Sequence, residues 1–567
     1  MTFGLNSRQA TFALAAALAA AVAVIYFPTL HGAWIWDDYQ YVAQNWALRS
    51  VAGLRSIWFA PDGVNYFPVT FTVQWLQWHL WGDAVAGYHV TNVALHLLNG
   101  LLLWRILVRL GAGLPGLVAL LFAVHPLAVE SVAWISELKN VLSLTFLFAS
   151  ALAYLRFERA ADPLRIWYLF SWGFFVLAML SKSTVAPFPV VLALHAWCGA
   201  RRISGRCVLV LLPFFAVALT LGVVTIWFEH HRAMAAEIAN AAALPLFSRI
   251  AGAGLALAFY LEKALLPVGL LPSYPQWRLE SLTPWLFVPW PVAAAIFCFL
   301  ARWSRGAAFG WGYFVLMLAP TLGLVPMAYL RISWVADHFA YAALPGLLAV
   351  IGGGLAVALR RVPASLRWLG FSGAVAIGLA LVAESRSYAR VYRNEETLWT
   401  TVLARNPQSW LAHNQLGGVW LRQGKLDEAT LEFAAATRIN PGYVEGRNNL
   451  GVALEHAGRL SEAIEQFQDA LQLRPDYRPA LANLAGAHLL MGDSALRQGL
   501  DFNAVEEYRA ALAVQPDDAA VENHLGVALV HLGRTAEAVE HYRRALHLRP
   551  NYPEARINLG NALRKSP

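Results

Sequence analysis

Apolar positions dominate the first two thirds of the chain in long, nearly unbroken runs. From about residue 10 to about residue 385 these runs reach roughly 18 residues or more, enough to cross a bilayer as helix. Helical spans are expected at 11–30, 88–110, 114–134, 139–157, 165–181, 183–199, 206–228, 284–302, 307–329, 338–360 and 366–384, with a weaker apolar segment at 249–268. Residues 31–86 read as loop and amphipathic helix, rich in Trp, Tyr and Phe. Arg8 and the run behind it suggest a secretory leader. The run is too long for a leader's apolar core and further spans follow, so an uncleaved first helix is expected.

Past residue 391 the pattern becomes a repeat. Asn406-Pro407, Asn440-Pro441, Arg474-Pro475, Gln515-Pro516 and Arg549-Pro550 open units spaced 34, 34, 41 and 34 residues apart. Leu416-Gly417, Leu450-Gly451, Leu525-Gly526 and Leu559-Gly560 recur inside them, as do Glu428-Ala429, Glu462-Ala463 and Glu537-Ala538. A 34-residue period with small residues at fixed helix contacts is the tetratricopeptide signature. The third unit's extra residues, near Asp493–Asp501, are expected to lengthen its inter-helix turn. The chain thus reads as all-α, a membrane helix bundle over 1–391 and a repeat superhelix over 392–567.

Composition agrees. Of 567 residues 58% are hydrophobic and 14% charged, against about 25% charged in soluble domains. Cys198, Cys207 and Cys298 lie in or beside apolar stretches, which argues against a disulfide framework. The net charge of +8 conceals two balances. Residues 1–391 hold 25 Lys+Arg and 14 Asp+Glu, and residues 392–567 hold 18 and 21. The basic excess belongs to membrane loops, and the soluble part lacks the basic stripe a nucleic-acid partner requires.

Loop arginines orient the bundle. Arg105/Arg109, Arg156/Arg159/Arg165 and Arg201/Arg202/Arg206 share one side if the first helix runs outward. Arg302/Arg305 and Arg360/Arg361/Arg367 join them only if 249–268 does not cross. That segment carries Glu262-Lys263, an expensive pair at mid-bilayer. Eleven crossings follow, with the N-terminus inside and the repeats outside.

Candidate chemistry gathers on the outer side. Trp34-Ile35-Trp36-Asp37-Asp38-Tyr39 places two carboxylates just past the first span, suited to deprotonating a hydroxyl or holding a divalent metal ion. The alternative for the pair is an ordinary solvated loop. His89, Asn92, His96 and Asn99 form a polar stripe at helical spacing, better explained by helix-to-helix hydrogen bonds than by catalysis. His125, Glu130, Glu137 and Lys139 surround one outer loop, Lys182 sits in a second, and Arg331, Asp337, His338 and Tyr341 in a third. Such groups also serve as interfacial anchors.

Taken in order, the aspartate pair, Tyr66-Phe67-Pro68, Tyr88-His89-x-x-Asn92-x-x-x-His96, His125-Pro126-x-x-x-Glu130-x-x-Ala133-Trp134, Lys182 and Ala336-Asp337-x-x-x-Tyr341, followed by the repeats, span nearly the whole chain. This arrangement resembles the transmembrane-and-tetratricopeptide O-mannosyltransferases and their bacterial relatives, members of the GT-C glycosyltransferase superfamily. The resemblance implies a polyprenyl-phosphate-linked sugar as donor, mannose or another hexose, and a hydroxyl acceptor. It makes Asp37 the catalytic acid of the superfamily and Asp38 its acidic neighbour. It also implies an integral protein of the bacterial inner membrane with its catalytic loops and repeats periplasmic. Ser183, His338, Leu138 and Asn140 depart from the residues frequent in that family.

On this reading Asp37 is the base, Asp38 orients it or binds metal, and Lys182, Arg331 and His338 receive the departing phosphate; one-step displacement gives inversion. A non-enzymatic membrane scaffold for envelope proteins is the competing class. A transporter would show internally repeated halves, which the sequence lacks. Gln415, Asn449, Asn483, His524 and Asn558 precede the recurring Leu-Gly or Leu-Ala and form one polar rung per repeat. Such a ladder suits the backbone of an extended protein acceptor. Satisfying neighbouring helix ends is its plainer role.

Overall fold

The computed structural model describes residues 7–565 apart from 61–62, 64, 160–164, 201–203, 234–244, 278 and 280. Arg201 and Arg202 therefore lie outside the described residues, as does the Arg8 side chain. Every regular element described is a helix, in keeping with the all-α expectation. The chain divides into two compact units, Met1–Val402 and Leu403–Pro567. This division falls beyond residue 391 because Glu395 and Trp399 belong with the first unit. Glu395 Oε1 accepts a hydrogen bond from Trp36 N at 3.1 Å, and fully buried Trp399 packs edge-on against Trp36 at 4.9 Å.

Among the described residues of the first unit seven helices are long and apolar enough to cross a membrane, Val85–Leu110, Gly205–Arg232 and Arg367–Arg393 being three of them. An eighth forms if Pro115–Val124 and Pro126–Ala133, bent by 57°, count as one span. The bend sits at His125 (φ −74, ψ 130), which the following proline bars from helical geometry. The segments at 165–181 and 183–199 form two shorter apolar helices that meet at an extended Lys182 (φ −161, ψ 126). The span expected over 307–329 stops at Leu318, where Pro320 and Gly323 (φ +86) interrupt it. Helix length and composition thus account for seven or eight crossings of the eleven expected, and Leu246–Leu265 is not among them. Outward faces carry exposed Leu219, Val223, Phe371, Ile377 and Leu379, an apolar surface that needs a covering other than water.

The polar stripe of Val85–Leu110 does join helices. Asn92 Nδ2 donates to Trp134 O (3.1 Å), Asn99 Nδ2 to Val141 O (2.9 Å), and His96 meets both Ala123 O (3.1 Å) and the Tyr341 hydroxyl (2.8 Å). Each such bond is worth about 0.6 kcal/mol on average, so the stripe fixes helix register more than it adds stability.

The second unit is built of helix pairs: Trp410–Arg422 with Leu426–Ile439, Val444–His456 with Leu460–Leu473, Arg478–Arg497 with Asp501–Val514, and Ala519–His531 with Thr535–Leu548, then Pro553–Lys565. Gly424, Gly458, Gly499 and Gly533 close the first helix of each pair at φ between +72 and +76, a left-handed geometry in which a Cβ is strained. A Cβ at Gly451, Gly492 or Gly526 would stand 2.5 Å from the paired helix's aromatic ring, so the small residue is a packing requirement.

The third unit corrects one expectation. Its turn keeps the usual length, and the extra residues lengthen the first helix instead, to 20 residues against 13 in Val444–His456. Seven residues make almost two whole turns at about 3.6 residues each, so the insertion preserves the helix's buried face. The small residue facing Tyr508 is consequently Gly492, one heptad beyond Ala485.

Candidate active site

The chain leaves the first helix at Tyr26, makes a 3-10 turn over Phe27–His31 and extends towards the aspartates. Trp36 takes a left-handed backbone (φ +47), uncommon for a bulky residue. It is over-determined: its ring stacks on Trp134 at 4.8 Å, packs on Trp399, and its N–H is held by Glu395. Such strain next to an acid pair is where a function is sought.

The two acids part company there. Asp38 is fully buried and turned into the protein: Ser136 donates to Oδ1 through N (2.8 Å) and Oγ (2.5 Å), and Ile35 N donates to Oδ2 (3.1 Å). Burial pushes its carboxyl up to about 7 against the pull of the Ser136 hydrogen bonds. Asp37 is half-buried and, among the described residues, its carboxylate accepts no hydrogen bond. Desolvation raises it to about 6, opposed by Lys139 and reinforced by Glu137. One acid is structural cement, and the other is available.

Beside Asp37 lies a buried cluster of charge. Glu137 takes Lys139 Nζ on Oε1 at 2.7 Å and Lys182 Nζ on Oε2 at 3.3 Å. Asn140 Nδ2 holds Glu137 Oε2 (2.5 Å) and His338 O (3.2 Å), tying two loops together. Burial lowers the Lys182 ammonium to about 8, partly restored by Glu137. His338 donates its N–H to Glu130 Oε2 at 2.8 Å, and its Nδ1 lies 3.1 Å from the same oxygen.

The other expected residues divide. Asn92 supports the loop through Trp134, and Glu130 supports His338. Arg331 stands near Glu229, and its turn reaches the cluster through Tyr329, edge-on to His338 at 5.7 Å. Asp337 faces away, accepting from the Tyr274 and Tyr388 hydroxyls at 2.8 Å each, and burial raises its carboxyl well above the usual range. Tyr341 belongs to the His96–Asn99 network, His125 bonds Ala264 O (3.1 Å), and Tyr66 stacks on Phe228 at 5.6 Å. His89 is buried, and among the described residues neither ring nitrogen has a hydrogen-bond partner.

A metal at the aspartate pair finds little support, since both Asp38 oxygens already face protein donors. Among the described residues no group of three or more His, Cys, Asp or Glu is placed to hold an ion. Sequence reasoning passed over Ser136, and it placed Glu137 and Lys139 on an outer loop without giving either a role in the site. The signal for the last two was their position at the head of an apolar span, where unpaired charge is expensive.

In the repeats three rungs bond to the asparagine that precedes the rung of the unit before. Asn449 donates to Asn414 (3.0 Å), Asn483 to Asn448 (2.9 Å) and Asn558 to Asn523 (3.0 Å), while Gln415 accepts from Asn414 (3.4 Å). The lengthened helix breaks this series: His524 Nδ1 lies 2.8 Å from Asp493 Oδ1, which also accepts from the Tyr508 hydroxyl at 2.7 Å. A cavity of about 440 Å³ opens beside this pair, lined by Leu496, Val527 and Asn558.

Two tetratricopeptide-repeat families match the chain, one over residues 396–444 and 489–564 and the other over 444–477. The tail is therefore a tetratricopeptide array. Among solved structures the chain is similar to MamA from Desulfovibrio magneticus RS-1, residues 41 to its end, at 23% identity over 28% of this chain and 85% of that one, with a TM-score of 0.23. It is also similar to YrrB, described as a TPR protein with an unusual peptide-binding site, at 14% identity over 29% of this chain and 82% of that one, with a TM-score of 0.23. No curated protein matches the chain. Tetratricopeptide arrays present extended concave surfaces to other chains, so the tail is a protein-interaction module.

Proposed function

We propose that the protein is a membrane glycosyltransferase that moves a sugar from a polyprenyl-phosphate donor to a hydroxyl of a protein acceptor on the outer face, with inversion. The observation that carries this reading is the half-buried Asp37 carboxylate, raised to about 6 and beside the Lys139–Glu137–Lys182 cluster. At pH 7 a base of that strength is mostly ionised yet more basic than a solvated aspartate, which suits it to a hydroxyl proton. The acceptor oxygen attacks the anomeric carbon as its proton passes to Asp37, and the bond to the donor phosphate breaks. The phosphate leaves with the bonding electrons towards Lys182, which at about 8 is protonated in roughly ten molecules for each deprotonated one at pH 7. Lys139 adds a second, partly buried positive charge. Asp38, locked on Ser136, sets the backbone that presents Asp37. No step requires a metal.

The resemblance in residue order supplies the substrate class, and the repeats supply the place for a protein acceptor. The scaffold reading rests on the repeats alone and leaves the buried charge cluster without a task. Purified protein incubated with a panel of polyprenyl-phosphate sugars and periplasmic proteins, read by mass spectrometry, tests the choice. A hexose added to protein, dependent on Asp37, is the expected result. Acceptor binding with no sugar transferred from any donor supports the scaffold instead.

A further inference from the structure

A second cavity, of about 570 Å³, opens at the other end of the first unit's helices. Asn92 and Lys139 stand at the aspartate end of their helices, and Leu107 and Leu155 of the same two helices line the cavity. From Asn92 to Leu107 is about 22 Å at 1.5 Å per residue, so this cavity is not part of the aspartate site. Its wall is apolar, with Leu107, Phe148, Val191 and Val350 among its residues. Three features make it more than a gap between helices.

The first is charge at the mouth. Arg305 lines the cavity and donates to Cys198 O and Gly199 O at 3.2 and 3.3 Å, contacts that fix its guanidinium at the rim. Arg109 stands one residue from the lining Leu110, with Arg105, Arg156 and Arg159 all within its electrostatic reach. Glu158, an acid of this end, is taken up by His195 at 2.9 Å. The second feature is the Tyr313 hydroxyl on the cavity wall, buried and without a hydrogen-bond partner among the described residues. Tyr313 lies about 12 Å along the helix from Arg305, and helical side chains lean back towards the N-terminus. Its hydroxyl thus sits deeper in the cavity than Arg305, by less than the full distance of about 12 Å. The third is room: a Cβ at Gly353 or Gly354, both on the wall, would meet nothing within 4 Å.

We propose that this cavity binds one anionic glycerophospholipid, its phosphate at Arg305, a glycerol ester carbonyl accepting from Tyr313, and an acyl chain along the apolar wall. Basic pockets between spans on the cytoplasmic side suit anionic headgroups. The ester carbonyl is what favours a glycerophospholipid over a polyprenyl phosphate, which has the same anion and apolar chain but no acceptor at that depth. The proposal assumes that the apolar helices span a bilayer, and it does not depend on sugar transfer.

The full chain in detergent is titrated with phosphatidylglycerol, phosphatidylethanolamine or a polyprenyl phosphate and examined by native mass spectrometry. One phosphatidylglycerol per chain is expected to survive activation that strips phosphatidylethanolamine. Arg305→Gln is expected to weaken retention about 10-fold, the scale of one charge-assisted hydrogen bond. Tyr313→Phe lowers it by less, and Gly353→Phe, whose first carbon has open space, abolishes it by filling the cavity. Equal retention of the two phospholipids, tighter binding of the polyprenyl phosphate, or unchanged binding by Gly353→Phe or Tyr313→Phe overturns the proposal. Recovery of the chain without detergent would instead refute the bilayer premise.

Discussion

Glu137 and Lys182, 45 residues apart in sequence, meet at 3.3 Å inside the protein, with Lys139 on the other Glu137 oxygen at 2.7 Å. One buried carboxylate thus holds two ammoniums at the place where a departing phosphate would need them.

The partners in this cluster are unequal under mutation. Lys182→Met leaves Glu137 paired with Lys139, so the fold is expected to survive while use of the lipid-phosphate donor falls. Glu137→Ala strands one buried and one partly buried cation, and losing the partner of a buried pair destabilises by about 3–5 kcal/mol. Thermal unfolding in detergent separates the two. A Glu137→Ala protein as stable as wild type would show the cluster to be hydrated.

Asp37→Asn is expected to reduce transfer by about 100-fold or more with the unfolding transition unchanged, since it removes a base that bonds nothing. Asp38→Ala instead leaves the Ser136 and Ile35 donors unsatisfied, each costing about 1–3 kcal/mol, and lowers stability as well as activity. Near wild-type turnover by Asp37→Asn removes it from the mechanism.

The dependence of kcat/KM on pH is expected to be bell-shaped. The acid limb lies near 6, where Asp37 must lose its proton, and Asp38 at about 7 contributes to it. The alkaline limb lies near 8, where Lys182 loses its charge. Lys182→Arg should erase the alkaline limb, because guanidinium does not titrate there. Stability runs the other way. Asp37 is raised from about 4 in the unfolded chain, so its penalty is complete above pH 6 and vanishes as pH falls. Lys182 is lowered from about 10.4, so its penalty is complete below pH 8 and fades as pH rises. These two groups therefore destabilise most between pH 6 and 8, where activity is expected to peak.

Truncation distinguishes the repeats from their entry helix. A chain ended after Arg405 keeps Glu395 and Trp399 against Trp36, and should transfer sugar to a small acceptor but not to a protein. A chain ended after residue 394 loses two of the three supports of Trp36, keeping only the Trp134 stack, and should lose both activities. In the full chain, Asn449→Asp, Asn483→Asp and Asn558→Asp together remove the donating amides. The facing Asn414, Asn448 and Asn523 can turn their own amides to donate, so melting should move little while KM for a protein acceptor rises. An unchanged KM assigns the rungs to packing alone.

Sidedness is open to single-cysteine labelling in a chain free of Cys198, Cys207 and Cys298. Gln408→Cys, exposed at the first repeat, should react with an impermeant thiol reagent in intact spheroplasts, and Arg361→Cys only after the membrane is opened. The reversed pattern places the repeats opposite the expected face.

The periodic parts of the molecule were legible in sequence because periodicity is local. A 34-residue spacing with glycine facing an aromatic ring specifies a helix pair whatever surrounds it, and the families matching the tail agree. Long apolar runs likewise announced membrane-type helices, and the spacing of His89, Asn92, His96 and Asn99 announced a buried polar face. Tertiary structure alone decided what came together. Which of two adjacent aspartates is free depends on Ser136, 98 residues away, which engages Asp38 and leaves Asp37 open. The breaks at His125 and Leu318 stop helices that hydropathy alone would have run on, since proline acts through backbone geometry and hydropathy does not record it. The seven-residue excess of the third repeat was visible as a number, but not as helix. Its conformation follows from heptad spacing keeping Gly492 on the face that meets Tyr508, a contact only the packed pair can select.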